Sequence, residues 1–167
     1  MVNFLKRQFR LSQTKFSFGA TSAIITSLGL ITGLRTFASP RLSIVGGLFI
    51  IAVADNIADS LGIHIYQEAE CLKTREVWIS TFTNFLTRLL VTFTFICLIL
   101  LFPLNIAVIA AIIWGVMLLS LLSYSISKRE KKNPYLAILE HILIAGLVIF
   151  ISNLAGQFFS HQLTVKL

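Results

Sequence analysis

Five apolar stretches of 19 to 26 residues, joined by short loops rich in Lys and Arg, account for most of this 167-residue chain. A membrane-spanning helix needs roughly 17 to 25 such residues, and a helix satisfies its own backbone hydrogen bonds inside the bilayer. The stretches fall at 16–34, 43–66, 77–102, 104–127 and 135–159, with Pro40, Pro103 and Pro134 each at a boundary, where a missing N–H does least harm. The expected fold is therefore an all-α integral membrane protein, a single five-helix transmembrane domain over residues 1–167. A composition of 56% hydrophobic residues and a mean hydropathy of +0.87 lie far outside the range of soluble domains.

The charge pattern orients the chain. Lys6, Arg7, Arg10 and Lys15 precede the first stretch, Lys73 and Arg75 follow the second, and Lys128, Arg129, Lys131 and Lys132 follow the fourth. With five crossings these ten share one side, opposite Arg35, Arg41 and Lys166. The positive-inside rule then puts the N-terminus in the cytoplasm and the C-terminus outside. The same distribution explains the net charge of +7 without nucleic acid as a partner. Thr36-Phe37-Ala38 loosely resembles a signal-peptidase site. The 19 uncharged residues before it exceed a signal core and carry Gly29 and Gly33 at packing spacing, so the first stretch reads as a retained helix. Without a cleavable leader, and with compact loops, the chain suits a prokaryotic inner membrane. Cys71 and Cys97 have neither metal spacing nor an expected disulfide.

Asp55 and Asp59 lie near the middle of the second stretch. An ionised side chain at that depth costs about 2.5 to 3.5 kcal/mol even on lenient insertion scales, so the pair needs a counter-ion, a proton or a cation. Their four-residue spacing puts both on one helix face, with Asn56 beside them. At 1.5 Å per residue, Asp59 lies roughly 15 Å from the cytoplasmic end of its helix, and Arg88 in the third helix reaches a depth of roughly 18 Å from the same side. Asn84 and Thr87 share that layer. One reading is a neutralised pair that only fixes helix packing; it leaves one carboxylate over, and cation binding or proton uptake by the spare acid accounts for both.

A second polar group is expected near the cytoplasmic face. His64, Glu68 and Glu70 end the second helix, while Glu140 and His141 begin the fifth. Imidazole and carboxylate together suit a first-row divalent ion such as Fe2+ or Mn2+. Each also has a plainer reading, His64 as a packed or interfacial histidine, Glu68 and Glu70 as a solvated helix end. Ser22 and Thr26 share a face of the first helix and either line a path or bond within their own helix. Asn153 and Gln157 read as packing residues, and Trp78 and Tyr135 as interfacial anchors. Ala54, Ala58 and Gly62 form a small-residue series in the second helix, like Gly29 and Gly33 in the first. Such series mediate close packing either within a chain or at a homodimer seam, and spacing alone leaves both open.

The run from Phe18 to Gly33, FGATSAIITSLGLITG, resembles the first-helix signature of the vacuolar iron transporter family, and Ala52 to Gly62, AVADNIADSLG, resembles its second-helix signature. With five spans and a cytoplasmic N-terminus, the likeness covers most of the chain. It implies a homodimer of five-helix subunits that moves Fe2+ or Mn2+ out of the cytosol in exchange for protons, along a path between the first two helices of both subunits. Ser22 stands where the family usually has an aspartate, Asp59 where it usually has a methionine, and Ile51 aligns with a family glutamate. Replacing a thioether by a carboxylate favours Mn2+ or another hard ion. Residues 67–76 stand in place of the family's long glutamate-rich collecting region.

The expected function is export of a divalent cation of the Fe2+ or Mn2+ type from the cytosol, coupled to protons, with no tightly bound cofactor. Glu68, Glu70, Glu140 and His64 or His141 would gather the ion; Asp55 and Asp59 would carry it or its counter-proton; Ser22, Asn56 and Asn84 would line the path; Arg88 would compete for the aspartates. The alternative is a membrane scaffold or partner subunit on the same fold. No Gly-x-Ser-x-Gly elbow, His-Glu-x-x-His pair or phosphate-cradling glycine loop suggests an enzyme.

Overall fold

Proline opens three of the five helices. The computed structural model describes the backbone of residues 2–166 and the side chains of residues 17–162. Five helices follow: α1 (Val2–Leu34), α2 (Pro40–Ala69), α3 (Thr74–Leu101), α4 (Leu104–Glu130) and α5 (Pro134–Lys166). Pro40 and Pro134 are the first residues of α2 and α5, and Pro103 caps α4. All five contain a segment long and apolar enough to cross a bilayer, so the chain is a multi-pass membrane protein. Helix α2 extends three residues beyond each end of the expected 43–66 segment. Hydropathy marks where the hydrocarbon ends, whereas helical hydrogen bonding continues through polar residues such as Gln67 and Glu68.

Helix α1 is the hub, packed against all four others, while α2 lies on α3 and α5 on α1 and α4. The apolar core draws Ile24, Leu28 and Ile31 from α1, Ile44 and Leu48 from α2, Phe95, Ile96 and Ile99 from α3, and Ala107, Val108 and Ala111 from α4. These positions fill the half of the bundle next to the α1–α2 and α3–α4 loops. In the other half the buried residues turn polar: Asn56, Ser60 and Gln67 on α2 face Ser80, Asn84, Thr87 and Arg88 on α3. Large apolar side chains such as Phe82, Phe93, Leu143 and Phe150 cover the outer surface, as a lipid environment requires.

Glycines allow α1 and α5 to cross in close contact. A Cβ on Gly156 would lie 2.8 Å from the Gly33 carbonyl carbon and closer still to its oxygen, and one on Gly29 would lie 3.1 Å from Ser152 and Val148. The Gly29 and Gly33 pair is thus used within the chain, against α5. The series in α2 is not, because Ala54, Ala58 and Gly62 are exposed and none of the described residues stands within 4 Å of a Cβ built on Gly62.

Helix α2 is not α-helical throughout. Residues Ile51–Asp55 form a π-helical turn, in which the Asn56 N–H donates to the Ile51 carbonyl five residues back. Its buried positions, Ile44, Leu48, Ala52, Asn56 and Ser60, recur every four residues. In a 3.6-residue helix such a series drifts by about 40° per step and would leave the α3 face. The wider turn absorbs part of the drift and keeps Asn56 and Ser60 against α3, which also fixes where Asp55 and Asp59 point.

Candidate functional site

Arg88 is the centre of the polar half. Its side chain is only 4% exposed, enclosed by α1, α2 and α3. Nη2 donates to Asp55 Oδ2, and Nη1 donates both to Asp59 Oδ2 at 3.0 Å and to Ser22 Oγ. The guanidinium fork therefore spans the two carboxylates, which the four-residue spacing brings to the same face, and reaches α1 as well. Arg88 Nε is buried without an acceptor among the described residues.

Asn84, one turn before Arg88, supports the acidic side. Its Nδ2 donates to Asp59 Oδ2 at 3.3 Å and to Ser60 Oγ at 3.2 Å. The opposite amide orientation would aim a carbonyl at a carboxylate, so these two acceptors fix it. Asn84 Oδ1 then faces Gly19, where a Cβ would come within 2.5 Å of it. Gly19 is thus the opening in α1 that lets Asn84 stand upright beneath Asp59. No sequence motif marks this role.

The carboxylates are less enclosed than their partner. Asp55 is 46% exposed and Asp59 27% exposed, on the outer side of α2 next to Ala54, Ala58 and Gly62. The cluster holds two acids and one base, a net charge of −1, and it opens sideways from the chain at mid-span. Arg88 does not neutralise it.

The other expected site residues separate. Asn56 turns away from the aspartates into the α2–α3 seam, donating to the Phe85 carbonyl at 2.9 Å and the Ala52 carbonyl at 3.3 Å. Ser22 joins Arg88, whereas Thr26 bonds back to the Ser22 carbonyl at 2.8 Å. The expected union of the second and fifth helices at the cytoplasmic end is corrected: α2 packs on α3 and α5 on α1 and α4, so His64 and His141 fall in different seams. His64 Nε2 stands 3.3 Å from Glu68 Oε1, and His141 pairs with Ser123 Oγ at 2.8 Å. Glu70 and Glu140 are exposed. Among the described residues no three His, Cys, Asp or Glu side chains converge as a metal cage. Asn153 accepts a hydrogen bond from Gln157 at 3.3 Å on the outer side of α5.

Comparison with protein-family profiles, with curated proteins and with solved structures finds no match. The functional reading therefore stands on the residues themselves.

Proposed function

We propose that this chain transports a divalent cation of the Fe2+ or Mn2+ type out of the cytosol in exchange for protons, as a homodimer whose α2 helices meet along Ala54, Ala58 and Gly62. The observation that carries this reading is the sideways exposure of Asp55 and Asp59 at mid-span. A carboxylate that is 46% exposed on a single chain cannot face lipid without the penalty of a charge in hydrocarbon. A second copy, approaching along the small-residue series, would cover it and leave a polar channel between the two α2 helices.

The chemistry of the pair suits passage. Ionised carboxylates bind a hard or borderline cation and release it when protonated, so one group serves both the ion and its counter-proton. Arg88 holds the carboxylates in place of the cation and competes with it. Ser22 and Asn84 keep the guanidinium and Asp59 aligned. Carboxylate oxygens without a thioether favour Mn2+. The cytoplasmic side follows from the Lys and Arg distribution, in an inner membrane of prokaryotic type.

A membrane scaffold is the second reading, favoured by Arg88 bonding to both aspartates at once. Uptake of Mn2+ and Fe2+ into proteoliposomes, with and without a pH gradient, separates the two. Transport predicts gradient-dependent flux that Asp59→Asn abolishes in a protein that still folds and dimerises. Equal flux in Asp59→Asn removes the aspartate from the mechanism, and no flux of either ion from folded dimers favours the scaffold.

A further inference from the structure

The arrangement around His64 assigns this residue a protonation pattern. Thr81 Oγ1 stands 2.9 Å from the Val77 carbonyl and 2.9 Å from His64 Nδ1; with its one hydrogen on the carbonyl four residues back, as a helical threonine commonly places it, it accepts from Nδ1. In that tautomer Nδ1 carries the hydrogen, and the Nε2 lone pair of the ring points toward Glu68 Oε1. Two acceptors now stand 3.3 Å apart at the end of α2. Something positive belongs between them, either a proton on Nε2 or a metal ion.

The setting favours the metal. A first-row ion bound at about 2.0 to 2.1 Å from both atoms in tetrahedral geometry sets them about 3.3 Å apart, so the gap admits one. A histidine whose far nitrogen is pinned by a hydrogen bond is also the usual form of a metal-ligating histidine, because the outer partner fixes tautomer and ring orientation. Here Thr81 is that partner. Trp78 packs edge-on against the imidazole, with ring centroids 4.7 Å apart, and Glu68 stays 58% exposed. One turn along the same face, Gln67 donates from Nε2 to Ser80 Oγ at 2.7 Å and has a buried Oε1 with no donor.

We propose that His64 Nε2 and the Glu68 carboxylate chelate a divalent first-row metal ion where α2 leaves the membrane, with Thr81 as a positioning residue. Two protein ligands completed by water make a labile site, suited to capture and release rather than to structural binding. Its role as the collecting step rests on the proposed transport function; the binding itself does not.

Trp78 supplies the readout. The other tryptophan, Trp114, bonds to Thr94, about 24 Å along α3 from Trp78, and gives a constant background. With full-length protein, its purification tag removed, Co2+ should quench Trp78 fluorescence saturably, and Mg2+, which prefers oxygen ligands, should not. His64→Gln should abolish the saturable phase. Thr81→Val, which touches no ion, should weaken it about tenfold. Asp59→Asn should leave it intact, so capture and transport can fail separately. The site is refuted by absence of a saturable Co2+ response in folded protein. It is equally refuted by an unchanged response in His64→Gln, or by quenching that follows pH and ignores Co2+, the signature of a plain imidazolium–carboxylate pair.

Discussion

Arg88 depends on its two aspartates in a way that a mutant cycle can measure. Asp59→Asn leaves a side-chain oxygen to accept from Nη1, and Asp55 still balances the guanidinium, so the loss is one charge-assisted bond weakened to a neutral one, about 1 kcal/mol. Asp55→Asn is equivalent, with Asp59 as the remaining anion. Replacing both strands a guanidinium that is 4% exposed with no anion, and an unpaired buried charge costs about 3 to 5 kcal/mol. The double variant should therefore be less stable than the two single effects added together, by about 1 to 3 kcal/mol, the range of coupling for residues in one network. Adding Arg88→Met to the double variant removes the stranded charge and should recover most of the loss. Reversible unfolding in mixed detergent micelles at fixed protein concentration, followed by circular dichroism, gives all the required differences. Additivity within about 0.5 kcal/mol would refute the reasoning, because it would mean that the guanidinium is stabilised by something other than these carboxylates.

The glycines should respond according to what faces them. Gly156→Ala drives a methyl group into the Gly33 backbone, which cannot turn aside, so α1 and α5 must part at a cost of about 1 to 3 kcal/mol in thermal or detergent unfolding. Gly62→Ala meets nothing within the chain and should leave the unfolding of the monomer unharmed while weakening dimerisation, read by crosslinking or by mass in detergent. Gly19→Ala should displace Asn84 from Asp59 and lower flux together with stability, since its methyl group would meet a carboxamide already fixed by two acceptors.

Much of this organisation was legible because depth can be counted along a helix. Residue counts from the loop ends put Arg88 level with Asp55 and Asp59, and a buried membrane arginine requires an anion, so a pair with one aspartate was legible as one reading; the structure adds the second. What could not be read was rotation and adjacency. The π-helical turn at Ile51–Asp55 has no signature in hydropathy, yet it sends Asn56 into the α2–α3 seam rather than to the aspartates beside it. Gly29 with Gly33 and Ala54 with Ala58 and Gly62 share one spacing but meet different fates, because the spacing records close approach and not which helix approaches. His64 and His141 lie at similar depth, and only the order of helices around α1 places them in separate seams. Thr81 and Ser123, the hydroxyls that fix the two histidines, are ordinary residues in apolar helices until their own acceptors, the Val77 and Leu119 carbonyls, are seen.

The charge count at the aspartates extends the proposed mechanism to its coupling. Each chain contributes two carboxylates and one guanidinium, and so one uncompensated negative charge, on the side of α2 that the chain leaves uncovered. In the proposed dimer, two such charges would share one seam. A single divalent cation balances them, and so do two protons; a monovalent ion or one proton leaves a charge at mid-membrane, where each costs about 2.5 to 3.5 kcal/mol. The states of lowest energy are therefore those with one metal ion or two protons, and cycling between them moves no net charge across the membrane. Flux at a constant pH gradient should then be indifferent to a potential imposed by a potassium gradient with valinomycin. Transport that scales with that potential would mean that the seam carries unbalanced charge, and that the two clusters work separately rather than as one site.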